Sequence, residues 1–327
     1  MVNRPAQRRQ RRRNLEISVP PGIREEAFRT LGGIPQWVTI RGQDRSNPLL
    51  LVVHGGPGST YTPFNSWIAV WERLFTVVQW DQRGAGHTFI RSGAPDLSLR
   101  RIVEDGLELA ESLIRHYRRP LVLMGSSVGS LTASLMARSA PNLFSALVLS
   151  NVLGQDSASQ SWSRCMEVAL RGRNRKAIVK LEQIGPDPGA WTAEEAQIQS
   201  KIAVKLSREG ANMVYDLMLP ALMYDPTLSM SDIRKIDQGM RKSLTSLYRD
   251  YAPFPLATSE RVFEIPVLAI HGEGDLVSPI SAARDHFTSL VAPDKTFIGI
   301  SKAGHLVEFA APDQFATHVL EFARAYV

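Results

Sequence analysis

A serine between a predicted strand and a predicted helix limits this chain to few folds. Residues 125–129 read Gly-Ser-Ser-Val-Gly, a Gly-x-Ser-x-Gly motif with Ser127 at its centre. The apolar run 120–124 before it is typical of a buried strand, and the residues after it have the apolar spacing of a helix that stops before Pro141. Glycine permits the sharp turn and close packing of such a junction, so the pattern predicts a serine hydroxyl held above a sheet.

The motif alone is a weak signal, because a glycine–serine turn without catalytic function has the same letters. A second segment argues for function: the predicted strand 48–53 runs into His-Gly-Gly-Pro-Gly at 54–58. A glycine-rich turn leaves its backbone N–H groups unobstructed, so we expect those of Gly56 and Val128 to bind an oxyanion. A phosphate-binding loop fits less well, since neither GxxxxGK[ST] nor GxGxxG follows the strand.

Two further predicted strands end in loops that carry an acid and a histidine. Asp275 ends the segment 267–275, and His305 ends the segment 297–305, each an apolar strand-like run followed by a loop. The chain order Ser127, Asp275, His305 is the one expected of an α/β-hydrolase. The segment that ends at 150 lacks the carboxylate that some members of this fold carry there, which favours Asp275. The sequence therefore predicts a catalytic triad without a cofactor.

The motifs at 54–58 and 81–86 (Asp-Gln-Arg-Gly-Ala-Gly) together resemble the proline iminopeptidase (prolyl aminopeptidase) family of α/β-hydrolases. The resemblance covers about 17–153 and 261–327. It implies a hydrolase that releases an N-terminal residue, with Ser127 as nucleophile and the partners named above.

One position departs from the family pattern: Val128 follows the nucleophile, where iminopeptidases usually carry Trp. A carboxylesterase or lactonase acting on a small apolar metabolite therefore stays open. A third alternative is a fold member that binds a ligand with little turnover, and the complete Ser-Asp-His set argues against it. In each hydrolase reading, His305 takes the proton of Ser127 and an acyl-enzyme forms.

Four residues near the oxyanion loop are expected to support the site without touching substrate. His54 is predicted to brace its turn by hydrogen bonding, and Gly55 belongs to the same turn. Asp81 and Arg83 are predicted to pair and to brace the oxyanion loop. Glu308, three residues after His305, is expected to stabilise the first turn of the last helix.

The fold class predicted is α/β: a mostly parallel central sheet with helices on both faces and an inserted helical cap. The core is assigned to 17–153 and 261–327, and the cap to 154–260, where strand-like runs give way to helical ones. Helices are predicted in the cap at 161–171, 175–183, 193–206, 213–223 and 231–248. Asp216 and Asp225 are candidates for holding a substrate ammonium, although carboxylates in a cap are usually solvated.

The basic N-terminus, 1–16, is predicted to be a disordered tail, with an arm for nucleic acid or an anionic membrane as the alternative. It lacks the apolar run of a signal peptide. Much of the net charge of +6 comes from it, so the charge does not indicate a nucleic-acid partner.

One cysteine, Cys165, excludes an internal disulfide and argues for a reducing compartment, so a cytoplasmic protein is expected. The seven histidines show no metal-site spacing, and we expect no metal. The expected partner is a small-molecule or short-peptide substrate, with neither nucleic acid nor membrane, and the oligomeric state stays open.

Overall fold

The computed structural model describes residues 3–17, 22–251 and 261–327, and an eight-stranded sheet lies at its centre. The strands in chain order are β1 (Ile23–Leu31), β2 (Ile34–Gly42), β3 (Leu49–Val53), β4 (Thr76–Trp80), β5 (Leu121–Ser126), β6 (Ala146–Ser150), β7 (Val267–Gly272) and β8 (Lys295–Ile300). Their spatial order is β1-β2-β4-β3-β5-β6-β7-β8.

The six strands from β4 to β8 in this spatial order are parallel, and β2 is antiparallel to both of its neighbours, β1 and β4. The predicted α/β class with a mostly parallel sheet is confirmed. Because parallel strands end at the same edge of a sheet, the loops that follow β5, β7 and β8 lie on one rim. Those loops carry Ser127, Asp275 and His305.

Helices cover both faces of the sheet because successive side chains of a buried strand point to opposite sides. In β3, Leu49 and Leu51 pack into one apolar layer, while Leu50 and Val52 pack into the other. The helices outside the N-terminus and the cap are α2 (Gly86–Ser92), α3 (Leu99–Tyr117), α4 (Val128–Ser139), α11 (Ile280–Thr288), α12 (Val307–Ala310) and α13 (Pro312–Ala323). Helices α3, α4 and α11 contribute to the first layer, and α13 contributes to the second.

The chain between β6 and β7 forms mainly helices in its described part. Its helices are α5 (Ser157–Arg171), α6 (Arg175–Ile184), α7 (Ala193–Leu206), α8 (Leu219–Tyr224), α9 (Met230–Ser246) and α10 (Tyr248–Tyr251). Residues 252–260 of the predicted cap lie outside the described residues. The predicted helix 213–223 differs from the structure, which has a π-helical turn, Met213–Met218, before α8. Pro220 lacks the N–H that a continuous α-helix needs there.

The N-terminal segment differs from the disordered tail that we expected. Helix α1 spans Arg4–Asn14, and the Asn3 side chain accepts a hydrogen bond from a backbone N–H of its first turn. Two arginines one turn apart reach the cap: Arg4 Nε donates to the Met223 carbonyl at 2.8 Å, and Arg8 donates to the Pro226 carbonyl at 2.7 Å. The helix is therefore held by tertiary contacts that composition does not reveal.

A third arginine of α1 is buried between aromatic rings. The guanidinium of Arg11 lies 5.0 Å from the ring centroid of Trp67 and 5.5 Å from that of Tyr224. Its long side chain therefore joins the core to the cap through cation–π contacts. No helix in the described residues is long and apolar enough to cross a membrane.

Candidate active site

Ser127 lies on a sharp turn between β5 and α4. Its backbone has φ +54° and ψ −127°, a conformation that non-glycine residues adopt only under constraint. A Cβ at Gly125 would stand 2.4 Å from the Gly129 carbonyl oxygen, and a Cβ at Gly129 would stand 2.3 Å from the Val53 carbonyl oxygen. Both glycines of the motif are therefore required by packing, as the sequence predicted.

The structure brings the three predicted triad residues together in one hydrogen-bonded chain. His305 Nε2 lies 2.9 Å from Ser127 Oγ, and His305 Nδ1 lies 2.7 Å from Asp275 Oδ2. The other oxygen of Asp275 accepts the backbone N–H groups of Val277 and Ser278 at 2.8 and 2.9 Å. These bonds fix the carboxylate, so one oxygen is left to orient the imidazole.

Burial and charge set the protonation of this group. Burial lowers the pKa of His305, but the charge and hydrogen bond of Asp275 and the charge of Glu308 together raise it more, so the pKa lies above its ordinary value. Burial raises the pKa of Asp275, but His305, His271 and the Ser278 N–H together lower it more, so the pKa lies below its ordinary value. The ion pair Asp275–His305 is therefore favoured, which is the state that forms when His305 takes a proton from Ser127.

The glycine-rich loop packs directly against the serine. A Cβ at Gly55 would lie 2.7 Å from the Ser126 carbonyl oxygen and 2.9 Å from Ser127 Cβ. Gly56 has φ +122°, a region that favours glycine. The N–H of Val128 is the first in α4 and has no carbonyl one turn earlier in the helix to bind. The glycine-rich loop and the start of α4 therefore both lie beside Ser127.

His54 ties this loop to the next turn of the rim. Its Nδ1–H donates to the Gly55 carbonyl at 3.0 Å, and its Nε2 accepts the Gln82 N–H at 3.1 Å. The Gln82 side-chain amide donates back to the His54 carbonyl at 2.9 Å. Burial lowers the pKa of His54, which suits a neutral ring with one donor and one acceptor. The predicted bracing position agrees with these contacts.

The predicted pairing of Asp81 with Arg83 is wrong. Arg83 Nε donates instead to Asp105 of α3 at 2.9 Å, and that carboxylate is fully buried. Asp81 instead accepts Thr60 Oγ1 at 2.5 Å and the His87 N–H at 2.8 Å. Since Thr60 follows the glycine-rich loop, Asp81 still holds that loop, without help from Arg83.

Neither predicted ammonium ligand contacts the Ser127–His305–Asp275 group. Asp216 is exposed and accepts the Asn212 N–H at 2.9 Å, which caps the π-helical turn. Asp225 is buried and holds the turn that follows it through the N–H groups of Thr227 and Leu228.

Asp225 also lines a cavity of about 450 Å³ between α1, the sheet edge and the cap. His87 and Thr39 line it too, whereas Ser127 and His305 do not. In the described ranges, no group of three or more His, Cys, Asp or Glu side chains is placed to hold a metal ion.

Sequence reasoning missed the position of Glu308. We expected it to stabilise a helix start, but its side chain is completely buried below the nucleophile turn. It accepts hydrogen bonds from Ser126, Ser150 and Asn151. A charged residue within the otherwise apolar run after His305 was the signal for a buried carboxylate.

Comparison with known proteins decides the family. Residues 48–312 match the model of the alpha/beta hydrolase fold family, which is most of the chain. The chain belongs to that family. It is a hydrolase, as the sequence predicted, and the resemblance to iminopeptidases is confirmed by two further similarities.

The probable aminopeptidase YbaC of Bacillus subtilis is 27% identical over 309 residues, which cover 91% of this chain and 96% of YbaC. The proline iminopeptidase of Lactobacillus helveticus is 29% identical over 139 residues, which cover 40% of this chain and 44% of that protein. A solved structure, a proline iminopeptidase-related protein from Thermus thermophilus, superposes with a TM-score of 0.63 at 22% identity and covers 93% of this chain and 99% of its own. This last similarity supports the fold.

Proposed function

We propose that this alpha/beta hydrolase is a serine aminopeptidase of the iminopeptidase type, which releases an N-terminal residue through an acyl-enzyme on Ser127. The observation that carries the chemistry is the hydrogen-bonded chain from Ser127 Oγ through His305 to Asp275. Such a chain activates a serine hydroxyl that is otherwise a weak nucleophile at neutral pH.

The steps follow from the geometry. His305 Nε2 takes the proton of Ser127 Oγ as the oxygen attacks the carbonyl carbon, and Asp275 stabilises the imidazolium. The N–H groups of Gly56 and Val128 bind the oxyanion, and each such donor contributes about 2.7–4 kcal/mol in comparable enzymes. His305 then protonates the leaving group. Water, activated by the same imidazole, releases the acyl group.

Two observations support a peptide substrate. YbaC, named a probable aminopeptidase, is similar over nearly the whole chain, including the cap. The segments 54–58 and 81–86 carry the iminopeptidase motifs, and the structure bonds them to each other through His54 and Gln82.

A carboxylesterase or lactonase is the second candidate, because the two candidate ammonium ligands of the cap bind other groups. An aminopeptidase needs an acceptor for the substrate ammonium, yet Asp216 and Asp225 are both engaged in local turns. Val128 also stands where iminopeptidases usually carry Trp. An uncharged ester would bind such a site without a carboxylate.

Paired rate assays separate the two candidates. Proline β-naphthylamide and p-nitrophenyl butyrate are tested with wild type, Ser127→Ala and Ser134→Ala as the matched control. Ser134 is a buried serine of α4 whose hydroxyl donates only within the helix, to the Ser130 carbonyl at 2.7 Å. Amide cleavage that only Ser127→Ala abolishes supports the aminopeptidase. Ester cleavage alone, equally dependent on Ser127, replaces it with the esterase. Turnover that survives in Ser127→Ala contradicts both.

A further inference from the structure

One buried carboxylate lies where the segments of the site meet. Glu308, in α12, has no solvent-exposed surface. Ser126 Oγ donates to its Oε1, while Ser150 Oγ and Asn151 Nδ2 donate to its Oε2 at 2.6 and 2.7 Å. The carboxylate therefore bonds the residue before the nucleophile and the end of the neighbouring strand β6.

The same network reaches the loop beside the oxyanion donors. Tyr61, which follows the glycine-rich loop, donates its hydroxyl to Ser126 Oγ at 3.0 Å. The N–H of Val307 donates to Asn151 Oδ1 at 3.4 Å. Four segments thus meet at Glu308: the oxyanion loop, the nucleophile turn, the end of β6 and the loop that carries His305.

The direction of each hydrogen bond shows that Glu308 is an acceptor. A serine hydroxyl has one proton, and Ser126 accepts from Tyr61, so its own proton goes to Glu308. Ser150 accepts from Asn151 at 2.9 Å and likewise donates to Glu308. All three donors to Glu308 are neutral, and in the described part of the chain no Lys or Arg pairs with it. Burying a carboxylate without a neighbouring cation costs free energy. A side chain that only held the four segments together would not need to be a carboxylate.

We propose that Glu308 is a positioning residue for the Ser127–His305 pair, whose buried carboxylate fixes the four segments and is a second acidic group beside the loop that carries His305. This inference rests on the proposed function, because it assigns Glu308 a role in the same proton transfer. The charge acts through the imidazole, and Glu308 itself touches no substrate.

Among the described residues, few other charged side chains near His305 are shielded from solvent. Asp275 bonds it directly, and buried His271 lies 3.5 Å from the same Asp275 oxygen. Glu209 of the cap, Glu273 and Lys302 surround the two loops, and all three are exposed to solvent, which screens them. Burial lowers the pKa of His305, and Asp275 and then Glu308 raise it.

Glu308→Gln tests the charge while it keeps the size of the side chain. Its matched control is Glu72→Gln, which removes another buried carboxylate, one that pairs with Arg41 at 2.6 Å away from the site. The first readout is the titration of His305 by NMR in protein with 13C-labelled histidine. Its signal is assigned by its loss in His305→Asn. The second readout is the rate at which a fluorophosphonate labels Ser127 at pH 8.

Glu308→Gln is expected to lower the pKa of His305 and to slow labelling about 10-fold, comparable to the low end of what outer residues contribute around a bound metal ion. Glu72→Gln is expected to change neither. A folded Glu308→Gln with the wild-type titration of His305 would overturn the proposal.

If Glu308→Gln does not fold, Glu308→Asp tests the proposal in its place. The proposal requires this variant to keep the wild-type titration, because the charge remains, and to label more slowly, because the shorter side chain cannot reach all three donors. A wild-type labelling rate would overturn it. Failure of the proposed function is a separate outcome, in which wild type itself is not labelled on Ser127 while the titration of His305 is still measured.

Discussion

Replacing Gly55 by alanine should lower kcat strongly while the protein still folds. A Cβ there would lie 2.7 Å from the Ser126 carbonyl oxygen and 2.9 Å from Ser127 Cβ. Ordinary contact begins at 3.4 Å, so in Gly55→Ala the loop must retreat by several tenths of an ångström. Oxyanion donors act over about 2.7–3.1 Å, and a retreat of that size removes at least one of them from range.

The expected loss follows from that displacement. Loss of one donor lowers kcat by about 10²–10³-fold, whereas overpacking lowers the free energy of unfolding by only about 1–3 kcal/mol. KM should change little, because the donors bind the transition state more than the substrate. Initial rates over a range of substrate concentrations measure both constants, and urea unfolding measures stability.

The matched control is Gly189→Ala in the cap. A Cβ at Gly189 meets only the flexible Asp187 side chain, at 3.2 Å, and its backbone does not require glycine. This variant should retain the wild-type kcat. A folded Gly55→Ala with wild-type kcat would refute the placement of the oxyanion donors in this loop.

Three further predictions concern charge. Burial lowers the pKa of His305, and Asp275 and Glu308 together raise it more, so kcat/KM should fall as pH drops through a value above the ordinary 6.5. An acid limb below 6.5 in the pH–rate profile contradicts this. Asp275→Asn should lower kcat by up to about 10⁴-fold, because the imidazole loses its orienting acceptor. Circular dichroism should show that the fold is retained. A kcat within tenfold of wild type would exclude Asp275 as the triad acid. Asp105→Ala should lower the free energy of unfolding by about 3–5 kcal/mol in urea, since it leaves the Arg83 charge buried and unpaired; a loss below about 1 kcal/mol would show that the pair contributes little.

The parts of the site that depend on local sequence could be predicted. Ser127, Asp275 and His305 each follow a short apolar run, so the strand and its loop were recognisable together. The parallel sheet then brings the three loops to one rim without further information. The glycines at 125 and 129 were predictable for the same reason, since their role depends on one strand–helix junction.

The parts that depend on distant partners could not be predicted. Arg83 pairs with Asp105 instead of its near neighbour Asp81, because the packing of α3 against the sheet brings Asp105 next to Arg83. Glu308 bonds Ser126 and Ser150, which lie 182 and 158 residues earlier in the chain. Helix α1 is held by carbonyls of the cap more than 200 residues away. In each case tertiary contact overrides the local pattern.

The most direct test of the central claim is to find which residue becomes covalently modified. Wild-type protein is treated with a fluorophosphonate, and the adduct is located by peptide mass spectrometry while hydrolysis is followed in the same sample. The account predicts one adduct, on Ser127, whose formation parallels the loss of activity and is abolished in Ser127→Ala. Hydrolysis that continues with Ser127 modified, or an inactivating adduct on another residue, would contradict it.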